Sequence, residues 1–326
     1  MQLITVDDIT AAGERVANVV VRTPLLPFPD STPERTFWLK PENLQPVGAF
    51  KIRGAYNAVA QLPQRSRSSG VVAYSSGNHA QAVAYAAKVF GIPATIVLPD
   101  SAPAVKVDAT RKHGAEVIKV PMAERESRAH QLVEQRGAML IPPFDHPDVI
   151  AGQGTIGLEI AEDLPDVEVV LIPISGGGLA SGIGTAIRAR CPRARVYGVE
   201  PELAADAAES FRAGELVHWP SERRARTIAD GLRAEPSDLT LAHLRAVLDG
   251  ILTVSEDEIR MAMATLIKKT RTIVEPAGAV AAAAYLYRAA ELPAGRTVAV
   301  VSGGNIDPDL LTAIWMQNGA TGGSAW

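Results

Sequence analysis

The chain has 326 residues, of which 47% are hydrophobic and 21% charged, enough for one large or two medium soluble domains with cores of their own. A net charge of −4, with both signs interspersed, excludes a general attraction to polyanions, so nucleic acid is not an expected partner. A single cysteine, Cys191, excludes an intrachain disulfide framework and any zinc site built from several thiolates.

Residues 5–19 predict a helix, because Val6, Ile9, Val16 and Val19 fall near one face and Asp7 and Asp8 suit the positive end of its dipole. The start of the chain lacks a basic stretch followed by an apolar run, so no secretory signal is expected. The longest uncharged, largely apolar stretch, Pro276–Tyr287, is too short to cross a bilayer, and a cytoplasmic protein without a membrane partner is the expectation. An extended segment at 22–26 follows the first helix. From Gly70 onward, short apolar runs at 71–74, 92–98, 115–120 and 138–141 alternate with helical stretches that stop at Gly91, Gly114 and Gly137, residues suited to a left-handed cap. A second unit starts near Ala151 and carries strands at 167–174, 195–199 and 297–301. Met261, Met263, Leu266 and Ile267 are expected to line a core face. Strands alternating with helices imply crossovers and parallel sheets. The expected fold is α/β, with two open, mostly parallel domains: a small one at 68–145, inserted into a large one at 1–67 and 146–326. A ligand would lie in the crevice between them, at the carboxyl ends of strands.

Four stretches carry chemistry. Lys51 lies between Phe50 and Ile52 in Lys40-Pro41-Glu42-Asn43-Leu44-Gln45-Pro46-Val47-Gly48-Ala49-Phe50-Lys51-Ile52-Arg53-Gly54-Ala55, at the start of a helical segment. Apolar neighbours desolvate an ammonium and lower its pKa, as a Schiff-base lysine requires; the ordinary alternative is a lysine whose stem packs while its head reaches water. Ser175-Gly176-Gly177-Gly178-Leu179-Ala180-Ser181-Gly182 turns from strand to helix and offers free amides to a phosphate. It also reads as a plain turn, or, with Glu200 ending the next strand, as a dinucleotide fingerprint whose third glycine position falls on Ser181. Ser75-Ser76-Gly77-Asn78-His79 is a second strand-to-helix corner, whose plain reading is a capping turn with Asn78 as N-cap and a structural His79. Ser302-Gly303-Gly304-Asn305 follows the last strand and alone would be a turn.

The lysine run resembles the corresponding segment of the fold-type II pyridoxal-phosphate enzymes, the threonine dehydratase and serine racemase group. Matching motifs recur in the same order from about Arg22 to Asp307, among them Pro142-x-Phe144-Asp145, residues 149–155 and 227–231, and Glu275-Pro276. The resemblance implies pyridoxal 5'-phosphate bound as an imine to Lys51 beside Phe50. It implies a phosphate loop of Ser175, Gly176, Gly177, Gly178 and Leu179, with Ser175 replacing a glycine and adding a hydroxyl donor. Asn78 would meet the ring hydroxyl, and Ser302 the pyridine nitrogen. Ser75, Ser76 and His79 would hold the substrate carboxylate, Ser76 also serving catalysis from the face opposite Lys51. Arg128 would reach a carboxylate of a dicarboxylic ligand. Glu200, the Ala204 carbonyl and Asp206 would bind a divalent cation, Mg²⁺ or Ca²⁺. Ala49 stands where many members have serine. The implied protein is a homodimer acting on a small amino acid, dehydrating and deaminating a β-hydroxy amino acid such as threonine or serine to a 2-keto acid and ammonia. Serine racemisation and threo-3-hydroxyaspartate dehydration are the neighbouring alternatives. A nicotinamide-dependent oxidoreductase and a non-catalytic binding module are the alternatives of other classes.

Overall fold

Ten strands make up two sheets in the computed structural model, which describes residues 2–319 apart from Pro33, Ser76 and Pro103. They are β1 (Leu26–Pro27), β2 (Phe37–Pro41), β3 (Val71–Tyr74), β4 (Ala94–Pro99), β5 (Glu116–Val120), β6 (Met139–Leu140), β7 (Val169–Pro173), β8 (Arg195–Pro201), β9 (Gly250–Val254) and β10 (Thr297–Val301). Six form a sheet in the order β1-β2-β10-β7-β8-β9, parallel except for β1, and four form a parallel sheet in the order β5-β4-β3-β6. The α/β fold expected from the alternating pattern is the fold observed. β7 and β10 are buried at every position, as apolar strands covered by helices on both faces should be.

In each sheet the chain reverses direction at one point. From β7 it proceeds outward to β8 and β9, then returns to place β10 on the other side of β7; from β3 it proceeds to β4 and β5, then returns to place β6 on the other side of β3. Loops leaving such switch points diverge and open a crevice at the carboxyl ends of the strands. The loops that do so here begin at Ser175, Ser302 and Ser75.

Several boundaries move for identifiable reasons. The first helix is Val6–Val16, shorter than 5–19: Thr5 and Asp8 form a capping box at its start, and Val19 and Val20 leave it to pack on the core of the four-stranded sheet. Gly91, Gly114 and Gly137 do take left-handed conformations. Met263 and Leu266 are buried, whereas Met261 is exposed. Cys191 is buried, its thiol near the Pro165 carbonyl.

The helix Lys51–Ala60 packs on the four-stranded sheet through Ile52, Ala55, Ala58 and Val59. Its other side lies so close to the helix Pro147–Asp163 that a Cβ on Gly152 would fall 2.6 Å from the Gly54 Cα. Beneath its first turn, four ionised side chains meet out of water. The Arg53 guanidinium donates to Glu42 at 2.7 and 2.9 Å and to Glu159 at 2.7 and 3.0 Å, and Lys40 donates to Glu159 at 2.5 Å and to the Thr23 carbonyl at 2.6 Å. Arg53, Lys40 and Glu42 are all 0% exposed. Burial alone would push Glu42 up, but the Arg53 and Lys40 cations hold it below the ordinary carboxylate value. Burial pulls Lys40 down despite Glu159 and Glu42. Two cations against two carboxylates leave the cluster neutral, the condition under which buried charge is tolerated. Arg53→Ala removes one cation and is expected to cost about 3–5 kcal/mol of stability. Urea denaturation with and without the substitution measures this, and a loss below about 1 kcal/mol would contradict the account, since exposed pairs are worth that little.

Candidate active site

Strand β10 positions the lysine. The Phe50 amide donates to the Ser302 carbonyl at 3.1 Å and Ala49 bridges Gly303, so the loop 47–50 runs across the carboxyl end of β10 and the helix begins at Lys51 itself. The Lys51 amine donates to the Pro143 carbonyl at 2.7 Å and lies 5.0 Å from the centre of the Phe50 ring. Burial pulls its pKa down to about 8. The sequence reading of a desolvated lysine therefore agrees with the structure.

Beside it, His79 is 2% exposed. Burial first, and the nearby Lys51 cation second, hold the imidazole down to about 3, so it is neutral. Its Nε2 lies 2.8 Å from the Ile141 carbonyl, which can only accept; Nε2 therefore carries the proton and Nδ1 offers a lone pair, buried without a hydrogen-bond partner among the described residues.

Ser75 and Asn78 also reach this crevice. The N-cap of the helix Asn78–Phe90 is Gly77, and Asn78 is its first helical residue. The Asn78 side chain caps nothing; it bonds to Glu275 and Asn305 across the crevice. Ser75 turns its hydroxyl to the Gly77 amide at 3.2 Å, shaping the corner. Ser76, expected in substrate binding and catalysis, lies outside the described residues.

The glycine loop opposite is built for close approach. Gly177 has φ +89° and caps the 13-residue helix Gly178–Arg190. A Cβ on Gly176 would sit 2.3 Å from the Phe144 ring, and one on Gly178 2.9 Å from the Phe144 Cβ. Leu179 sends its side chain into the core and leaves its amide at the helix start. The Ser175 hydroxyl accepts from the Ala234 amide at 2.9 Å and lies 3.4 Å from the Ala234 carbonyl. The expected extra hydroxyl donor is thus committed to holding the loop to its neighbour. Ser302 is 3% exposed, its hydroxyl 3.3 Å from the Ala277 carbonyl.

Arg128 and Glu200 are each engaged by neighbours close in the chain. Arg128, on the helix Arg125–Arg136, bonds to Gln131 at 3.2 Å along its own helix and does not join the other site residues; Glu126 of that helix is the residue that meets Tyr74, at 3.4 Å. Glu200 accepts from the Ala207 and Ala208 amides at 3.1 and 2.7 Å, which engages the carboxylate a dinucleotide ribose would need. Glu200 and Asp206 are both buried, and burial raises both, Glu200 further through Asp206 and Asp206 to about 6. Asp206 Oδ2 has no hydrogen-bond partner among the described residues. Among the described residues no group of three or more His, Cys, Asp or Glu side chains could hold a metal ion, so these two stand as a pair.

A half-buried lysine of depressed pKa, a glycine cradle at a helix start and a hydroxyl at the end of β10 suit a phosphorylated aldehyde with a ring nitrogen. The family described as pyridoxal-phosphate-dependent enzyme matches residues 16–303. The chain belongs to that family. It is 42% identical over 308 residues to the Saccharomyces cerevisiae L-threo-3-hydroxyaspartate ammonia-lyase, covering 93% of this chain and 94% of the relative. It superimposes on the T.th. threonine deaminase with TM-score 0.87 and 43% identity, covering 93% and 99% of the two chains. For maize serine racemase the figures are 0.91 and 38%, with 97% and 98% covered. In this family member no helix among the described residues is long and apolar enough to cross a membrane.

The residues that sequence reasoning left without a role are Pro143, Glu275 and Asn305. Two of them stood inside quoted motifs, Glu275 before Pro276 and Asn305 ending Ser302-Gly303-Gly304-Asn305, but neither residue type announces a partner that lies far away in the chain.

The lowered pKa of Lys51 gives a testable profile. The reactive amine is present above about pH 8 and is lost as pH falls through that value, whereas an ordinary lysine would follow only near 10.5. Brief treatment of the purified protein with pyridoxal and borohydride across pH, read from the mass of the Lys51 peptide, should show a midpoint near 8. A midpoint shared with exposed lysines would contradict the desolvation argument.

Proposed function

We propose that this chain dehydrates and deaminates a β-hydroxy amino acid, threonine or serine, to a 2-keto acid and ammonia. The observation that carries the reading is the desolvated amine of Lys51, held at the carboxyl end of β10. Bound pyridoxal phosphate supplies an aldehyde that condenses with amines and a ring that accommodates negative charge at the substrate α-carbon. Lys51 anchors it and, with its pKa lowered to about 8, is suited to take a proton from the α-carbon. Gly176, Gly177, Gly178 and the Leu179 amide are suited to the phosphate, Phe50 and Asn78 to the ring, and the Ser75 corner with His79 to the substrate carboxylate. Ser302 offers a hydroxyl where a carboxylate would fix a positive ring nitrogen, which favours loss of a β-substituent. The substrate gives up its β-hydroxyl as water, and the enamine so formed takes up water to release ammonia.

The site at Glu200, the Ala204 carbonyl and Asp206 is proposed to take Mg²⁺ or Ca²⁺; the unpartnered Asp206 oxygen and the all-oxygen donor set support it. We further propose that residues 68–145 are the small lobe, with the helix Lys51–Ala60 packed on its sheet so that Lys51 stands at the seam, and that the protein is a cytoplasmic homodimer. The turn of Arg128 toward Gln131 favours a neutral hydroxy amino acid over hydroxyaspartate.

Keto acid formation from L-threonine, both serine enantiomers and the hydroxyaspartate diastereomers tests the substrate. Lys51→Ala should lower turnover at least about a thousandfold, the scale of losing a general base as well as a covalent anchor. Full turnover in that variant would end the assignment, and chiral analysis of residual serine separates a racemase.

A further inference from the structure

Asn78 has an amide whose two ends look alike in shape but not in chemistry, and the structure fixes which end faces which way. Its Oδ1 accepts from Asn305 Nδ2 at 2.8 Å, and its Nδ2 donates to Glu275 Oε1 at 2.7 Å. Asn305 Nδ2 donates its other proton to the Val47 carbonyl at 2.8 Å. The two amides therefore face an acceptor at each side, a backbone carbonyl and a carboxylate. Only one sense of the two amides satisfies both: reversing Asn305 would set oxygen against the Val47 oxygen, and reversing Asn78 would set oxygen against Glu275. In that sense Asn78 keeps one N–H outside both bonds, while its oxygen is already engaged.

The surroundings are shaped to allow this meeting. Glu275 is 5% exposed, and its amide donates to the Gly303 carbonyl at 3.1 Å. A Cβ on residue 303 would fall 2.3 Å from Glu275 Oε1 and 3.0 Å from Asn78 Nδ2, so the glycine keeps the space in which carboxylate and amide join. The bonds also tie the helix Asn78–Phe90 to residues 197 and 227 positions away and to the loop that carries Lys51.

We infer that Glu275 and Asn305 are positioning residues that lock the Asn78 amide as a hydrogen-bond donor toward the cofactor ring oxygen. This rests on the reading that pyridoxal phosphate binds here with Asn78 beside that oxygen. Asn305→Asp keeps the shape but replaces the donor with an acceptor, removing the reason for the Asn78 orientation.

The test titrates apoprotein with pyridoxal phosphate, reading the dissociation constant and the imine absorbance band, with the thermal midpoint of each apoprotein alongside. Failure of the unaltered protein to bind would sink the functional reading itself, which separates that failure from this one. Given binding, Asn305→Asp should raise Kd about tenfold or more, the scale of one hydrogen bond to a charged group, and shift the band. In an Asn78→Ala background the same change should add nothing, because Asn305 acts through Asn78. An unchanged Kd and band, or a loss that adds in full to that of Asn78→Ala, overturns the inference. If Asn305→Asp does not fold, Asn305→Ala and Glu275→Leu are put through the same cycle and judged by the same outcomes.

Discussion

Arg53 is the residue on which the geometry of the crevice depends. It lies two positions after Lys51, and at about 100° per residue that places it roughly on the opposite side of the helix. While the amine meets the Pro143 carbonyl, the guanidinium is held by Glu42 at the end of β2 and by Glu159 on the long helix behind. A planar fork whose donors are engaged on two sides leaves a helix little freedom to rotate, which a lysine's single ammonium could not achieve. The cluster is neutral as a whole, so it fixes Lys51 in direction without adding a net charge beneath it. The depressed pKa of Lys51 is accordingly a matter of desolvation.

Topology then decides what Lys51 faces. Because β10 is laid down last and inserted between β2 and β7, its carboxyl end lies beside that of β7, and the Ser302 and Ser175 loops become neighbours although they are far apart in sequence. The four-stranded sheet repeats the device with β3 at its reversal point, bringing the Ser75 corner to the same crevice through Asn78. Each sheet alone offers a helix start; the Asn78 bonds to Glu275 and Asn305 make one site of them.

The strands and glycine-stopped helices of the smaller sheet were legible because each short apolar run is bounded by a residue with one structural use, as at Gly91 and Gly137. β2 and β9 were not. β2 holds Lys40, whose charge marks it as a surface residue until Glu159 is known to lie beside it, and β9 begins inside the Asp249-Gly250 dipeptide, which by itself reads as a turn. Among the candidate site residues, the settings of Lys51 and the glycine loop were legible because their chemistry is local: apolar neighbours in one case, absent side chains in the other. The partners of Ser175 and Arg128 were not legible, for the converse reason. A hydroxyl or a guanidinium can serve many partners, and Ala234 and Gln131 are the ones the fold supplies.

Anions entering this crevice meet few cations. His79 is neutral, Arg128 is turned aside, and the buried cations Lys40 and Arg53 are engaged by carboxylates. Apart from Lys51, none of the side chains placed in the crevice is a cation. The backbone is suited to attract a phosphate and a carboxylate, because two 13-residue helices, Asn78–Phe90 and Gly178–Arg190, begin at the crevice with first-turn amides that have no partner within the helix. Amides bind anions without offering a mobile proton, so the lysine amine remains the principal titrating base in the crevice near neutral pH. A site arranged this way is suited to two anionic groups at once, while proton transfer falls, among the described residues, to Lys51.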